Sequence, residues 1–145
     1  MSYGAAGPMI ARLPTASGAK AVTTATLTLF TVTGRIRVLG LFGYVSTVIG
    51  GANTIKVLVN PTVGADTDLS AITVIDSKAA GTMLGLTGVP TDQLQLGVAE
   101  GTAVYLTNPI VVAAGTIQAV TVGAVTGAIE WYLVWEPITS DAAVA

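Results

Sequence analysis

Residues 128–136 read AIEWYLVWE. Apolar and polar positions alternate with a period of two, the spacing of a strand buried on one side. Ile129, Trp131, Leu133 and Trp135 share one face; Glu130, Tyr132, Val134 and Glu136 share the other. The first row is the core row. Two tryptophans on one strand could also form a sugar-stacking platform, but their alternation with Ile129 and Leu133 favours packing in a core. Pro137 stops the strand, because proline has no N–H to give to a ladder.

The same period recurs outward from this segment. In TIKVLVN (54–60), Ile55, Val57 and Val59 oppose Lys56, Leu58 and Asn60, and Pro61 ends the run. In VTTATLTLFTVT (22–33), Leu27 and Leu29 face away from Thr26 and Thr28, then Phe30 and Val32 take the opposite parity. A change of phase within one run is the mark of a bulge, expected here at Leu29–Phe30. RIRVLGLFGYVSTVI (35–49) reads as one long strand. Ile36, Val38, Phe42 and Tyr44 are placed on one face and Arg35, Arg37, Leu39 and Leu41 on the other, with Gly40 and Gly43 where the sheet bends. Shorter strands are expected at 71–76, 82–87, 93–98, 103–107, 110–113 and 116–122, with a polar loop at 61–70.

The count is nine to eleven short strands with Gly, Pro and Asn punctuation every 8–12 residues, and no 3.6-residue stripe of helical length. Such spacing belongs to all-β antiparallel folds: a β-sandwich, jelly-roll-like, or a small barrel. Composition agrees. Thr, Val and Ile number 21, 19 and 10, whereas Glu, Lys, Arg and Gln together number 12. β-branched residues suit strands, and the long straight-chain residues that favour helices are scarce.

Charge is the scarcest resource. Six basic and eight acidic side chains make 10% of 145 residues, against about 25% in an average domain. A folded monomer of this mass exposes about 6,900 Å². So few charges leave much of that area to Thr, Gly and Ala, or to contact with other chains, whose interfaces are depleted in charge at their centres. The chain has no Cys and no His. That removes disulfides, Cys/His metal sites, a cysteine nucleophile and a histidine general base. A net charge of −2 lacks the basic excess of a nucleic-acid binder.

Residues 1–20 (MSYGAAGPMIARLPTASGAK) read as an extended arm, 21–138 as one β domain and 139–145 as a small polar tail. The arm scatters Tyr3, Met9, Ile10, Arg12 and Leu13 among Gly, Ala, Pro and Ser. It cannot form a core alone; it either docks on a neighbouring surface or stays a loose terminus. It has no basic stretch before an apolar core, and Gly7-Pro8 interrupts it, so synthesis without export is the expectation. The uncharged stretches 38–55 and 101–129 are long enough for a membrane helix, but their Gly, Thr and Asn content and missing basic flanks speak for strands.

No constellation carries an activity. Asp66 and Asp68 have a spacing that calcium loops use, but Ala71 and Ser77 stand where such a loop needs glycine and glutamate; turn capping explains both aspartates. Glu130 and Glu136 lie about 20 Å apart along one strand face, too far for a carboxylate pair. Six serines have no histidine to activate them. The Gly-rich runs at 81–88 and 40–51 match no phosphate loop or dinucleotide fingerprint. Arg35 and Arg37 share a strand face, either as a solvated edge or as an ion-pair contact to acidic groups of a partner or a neighbouring copy.

Four segments together resemble a known class: LFTVTGRIRVLGLFGYVSTVI (29–49), NTIKVLVNPTVGADTDLSAITVID (53–76), GTMLGLTG (81–88) and GAIEWYLVWEPI (127–138). In texture and order they resemble small structural proteins from the head modules of tailed bacteriophages, capsid decoration (cement) proteins above all. The resemblance spans residues 25–138 and carries no site motif. It implies a β-rich, non-enzymatic virion protein without cofactor or metal. Such a protein is made in the host cytoplasm and binds the major capsid protein on the capsid exterior, commonly as a trimer. The contact residues expected are Tyr3, Met9, Ile10, Arg12, Leu13, Arg35 and Arg37, with no role for nucleic acid or membrane. A phage tail, baseplate or host-binding β-module is the alternative, and an exposed aromatic cluster would distinguish a glycan-binding one.

Overall fold

The structure, a computed structural model, describes residues 13–97, 106, 108–123 and 126–145. Twelve strands are present among the described residues: β1 (Thr15–Ala21), β2 (Ala25–Thr33), β3 (Ile36–Gly50), β4 (Thr54–Pro61), β5 (Thr67–Asp68), β6 (Thr73–Val74), β7 (Met83–Gly85), β8 (Gln95–Gly97), β9 (Ile110–Val112), β10 (Gly115–Val122), β11 (Thr126–Pro137) and β12 (Ala143–Val144). They form two antiparallel sheets packed face to face, an all-β sandwich. Sheet 1 runs β1-β11-β3-β7-β8, with β9 pairing the far end of β3; sheet 2 runs β12-β2-β10-β4-β5, with β6 also on β4. Among the described residues, no helix is long and apolar enough to cross a membrane.

The strand quoted first anchors the core. Ile129, Trp131 and Leu133 of β11 are buried, and Trp135 packs partly buried against them. Sheet 2 answers with Phe30 and Val32 of β2, Ile117 and Ala119 of β10, and Ile55, Val57 and Val59 of β4. Alternation in each strand thus delivers one apolar row to a shared interior.

Bulges decide the details. In β2, Ile117 opposes Phe30 while Gln118 opposes Thr28. Leu29 is therefore the extra residue, and Leu29 and Phe30 are both buried, as their opposite parities require. A second bulge lies in β3. Trp135 opposes Val38 and Val134 opposes Gly40, leaving Leu39 extra. A slip of one residue flips every later side chain to the other face. Ile36 and Val38 point inward before it, and Leu41 and Val45 after it. The expectation that Phe42 and Tyr44 share the face of Ile36 and Val38 is therefore corrected: both lie on the outer face. A third irregularity sets Ala128 against Thr47 and Ile129 against Val45, leaving Ser46 extra. With a further shift between Thr126 and Ala128, three interruptions let the 15-residue β3 curl around the core.

The domain is wider than the sequence implies at both ends. Residues 15–21, read as arm up to residue 20, are edge strand β1 on β11. The tail contributes β12, which pairs Ala143 and Val144 with Thr33 and Val32. Backbone hydrogen bonds outweigh the weak local propensity of these segments, because each lies along an open sheet edge. In the expected polar loop 61–70, β5 pairs with Leu58 and Val59. Of the expected strand 103–107, only Leu106 falls within the described residues, and it is not in a strand.

Candidate functional site

The residues expected to meet a partner fall into three groups. Tyr3, Met9, Ile10 and Arg12 lie outside the described residues. Leu13, just before β1, is 85% exposed. Arg35 and Arg37 are exposed, but the structure separates their roles. Arg35 rims a cavity of about 300 Å³ at one end of the sandwich, with Thr62, Thr139 and Asp141. Its backbone N–H donates to the Thr139 hydroxyl at 3.0 Å. Arg37 bonds Glu136 of the adjacent strand at 2.6 Å, so its acidic partner is in the same chain.

The acidic candidates are equally dispersed. Asp68 accepts Lys56 Nζ at 3.0 Å, and Asp66 is exposed nearby. Among the described residues, no three His, Cys, Asp or Glu side chains gather as a metal-holding group. Ser17 and Lys20 have a Ser-x-x-Lys spacing, which on a helix would stack them one turn apart. On edge strand β1 they are instead about 10 Å apart, and Ser17 Oγ donates to Gly18 O and accepts the Trp131 N–H.

The feature that sequence reasoning missed is the outer face of sheet 1. Register places its residues in rows across the strands. One row runs Ala19, Glu130, Tyr44, Met83 and Gly97; the next runs Ala16, Tyr132, Phe42, Gly85 and Gln95. Three aromatic rings therefore stand together at the centre, flanked by alanines on β1 and glycines on β7 and β8. Phe42 and Tyr132 stack with centroids 5.3 Å apart and planes 24° from parallel. Rings lying flat on the sheet, side by side, could not come so close. The two rings are stacked, each covering one face of the other. Tyr132 donates its hydroxyl to Glu130 Oε1 at 2.7 Å. That hydrogen bond, then desolvation and the carboxylate charge, raise the Tyr132 pKa above the ordinary tyrosine value.

The outer face of sheet 2 is different in kind. Thr26, Thr28, Thr31 and Thr33 of β2 face outward, and beside them lie Thr116, Gln118 and the Lys56–Asp68 pair. Val120 and Val122 border a smaller apolar cavity of about 160 Å³ with Ile72 and the Lys56 stem. The aromatic row of sheet 1 was legible only in part: Tyr132 shares parity with Glu130 in the sequence, but the bulge at Leu39 hid Phe42 and Tyr44. No protein-family model, curated protein or solved structure matches the chain.

Proposed function

We propose that the chain is a non-enzymatic structural protein of a virion, decorating and stabilising the outer surface of a phage capsid as a homo-oligomer. The observation that carries this reading is the contrast between the two outer faces. Sheet 2 meets solvent mainly with threonines and the Lys56–Asp68 pair, with Ile72 and Val122 exposed beside them, whereas the centre of sheet 1 sets out Phe42, Tyr44 and Tyr132 among alanines and glycines, with Glu130 beside the rings and the Arg37–Glu136 pair farther along the strands. An apolar sheet face on a charge-poor domain suits coverage by another protein. Many copies on one shell let modest contacts add up, because each bound copy raises the effective concentration of the next contact.

The aromatic row also speaks for the alternative, a host-binding module that recognises glycans. Sugar recognition stacks a pyranose on an open ring face, and the Phe42–Tyr132 stack already covers one face of each ring. The structural reading is therefore preferred.

The test is copy number on purified particles, by quantitative mass spectrometry against the major capsid protein. The proposal expects stoichiometry comparable to that of the shell protein and loss of particle stability when the chain is removed. A few copies per particle would overturn it in favour of a tail or host-binding role.

A further inference from the structure

The outer face of sheet 1 holds an acidic group that has no cation partner among the described residues. Among the described residues, Arg37 holds Glu136 and Lys56 holds Asp68. Glu130 has only the Tyr132 hydroxyl. It sits half-buried among Ala19, Tyr44 and Tyr132, where a carboxylate gains most from a positive partner.

The segment preceding the described domain has the complementary chemistry. Residues 1–12, MSYGAAGPMIAR, carry one charged side chain, Arg12, and no acid. Their remaining residues are small or apolar, with Tyr3, Met9 and Ile10 as the bulky ones. Twelve residues reach at most about 40 Å when extended, and five strands at about 4.8 Å spacing make a face about 24 Å across. The segment is long enough to cross it.

Strand direction says whose face. Thr15 opposes Leu133 and Ala19 opposes Glu130. The chain before Thr15 therefore leaves β1 past Leu133, heading away from its own Glu130. Leu13, 85% exposed, marks an exit into solvent at the edge of this sheet.

We propose that residues 1–12 of one copy lie across the outer face of sheet 1 of a neighbouring copy, with Arg12 paired to the neighbour's Glu130 and Met9 and Ile10 covering its aromatic row. This deepens the homo-oligomer of the proposed function and rests on that part of the reading. It gives the arm a docking partner and the apolar face an occupant. It also makes the association head-to-tail, since donor arm and acceptor face are different patches of one chain, and such contacts form a ring where the rotation closes and an open filament where it does not.

The experiment is the solution mass of the full chain by light scattering, beside Arg12→Glu, Glu130→Arg and the double exchange. The wild type is expected at a multiple of the 14.5 kDa chain, each single variant at the single-chain mass, and the double exchange back at the wild-type mass. Should Glu130→Arg fail to fold, a chain lacking residues 2–12 decides, because it removes no described strand; it is expected to be folded and monomeric. A monomeric wild type, an oligomer indifferent to the deletion, or a double exchange without rescue would each overturn the proposal. Copy number on particles is a separate readout. A chain that is present on capsids but monomeric in solution defeats this inference alone, and an arm-exchanged oligomer missing from virions defeats only the capsid reading.

Discussion

The hydroxyl of Ser17 accepts the backbone N–H of Trp131 at 3.1 Å. It does so where β1 and β11 lose register, between the pairs Ala19–Glu130 and Ala16–Tyr132. A bulge interrupts the ladder there, with Gly18 at φ 72°, and the serine side chain replaces the missing carbonyl. Ser17→Ala leaves that N–H without its partner. The expected cost is about 1 kcal/mol, read by urea unfolding, with faster hydrogen exchange at the Trp131 amide. An unchanged amide would show that the bond does not hold the edge strand.

Two glycines of β3 make a matched test of packing. A methyl group on Gly43 would lie 2.9 Å from Ile129 Cγ2 and 3.1 Å from the Trp131 ring, whereas one on Gly40 would meet Val134 at an ordinary 3.8 Å. Gly43→Ala must displace core side chains and is expected to cost about 1–3 kcal/mol. Gly40→Ala is expected to stay within about 1 kcal/mol of wild type, with the stiffer unfolded chain working in its favour. Equal effects in denaturant melts would refute the packing argument.

The tryptophans of β11 share a face but not a role. Trp131 is fully buried, and Trp131→Ala is expected to cost about 3–5 kcal/mol. Trp135 lies at the border of the core and donates its indole N–H to the Thr15 hydroxyl at 3.0 Å. Trp135→Phe keeps an aromatic ring and loses that donor, for about 1 kcal/mol. The order of the two in chemical unfolding checks the assignment.

Tyr132 predicts an alkaline limit. Its folded pKa lies above the ordinary 10.0, chiefly through the hydrogen bond to Glu130. The neutral phenol is thus favoured in the folded state. Its contribution is complete below pH 10, falls as the unfolded chain ionises, and is gone once pH passes the raised folded value. Thermal melts between pH 9 and pH 11.5 should show a steeper loss for wild type than for Tyr132→Phe. Parallel curves would remove the Glu130 bond as the cause.

The Arg37–Glu136 pair is short at 2.6 Å, yet its side chains are 49% and 45% exposed. Water screens such pairs, so Arg37→Ala is expected to change stability by less than about 1 kcal/mol, and less still in high salt. A larger, salt-insensitive loss would mean that the arginine stem packs against Val111, its cross-strand neighbour.

How much of this was legible beforehand depended on the kind of signal. The bulge at Leu29–Phe30 was visible because two adjacent apolar residues in a Thr-alternating strand cannot both point inward on a regular ladder. The bulge at Leu39 was not visible, because apolar residues and glycines fill residues 38–43 on both parities and no polar position marks the slip. That single ambiguity moved Phe42 and Tyr44 to the wrong face and concealed the aromatic row. The strands at 15–21 and 143–144 were also missed, since TASGAKA and AV carry little strand preference and depend on an open edge beside them.

The sequence by itself determined the all-β class, the inward rows of β4 and β11 and the lack of charge, because period-two alternation and composition are properties of the chain read locally. Only the tertiary structure decided which apolar residues lie outside, that residues 15–21 and 143–144 complete the two sheets, and that Glu130 stands beside stacked rings without a cation among the described residues. Those facts depend on register between strands far apart in sequence. A one-residue slip reverses a face there without changing the composition that a local reading sees.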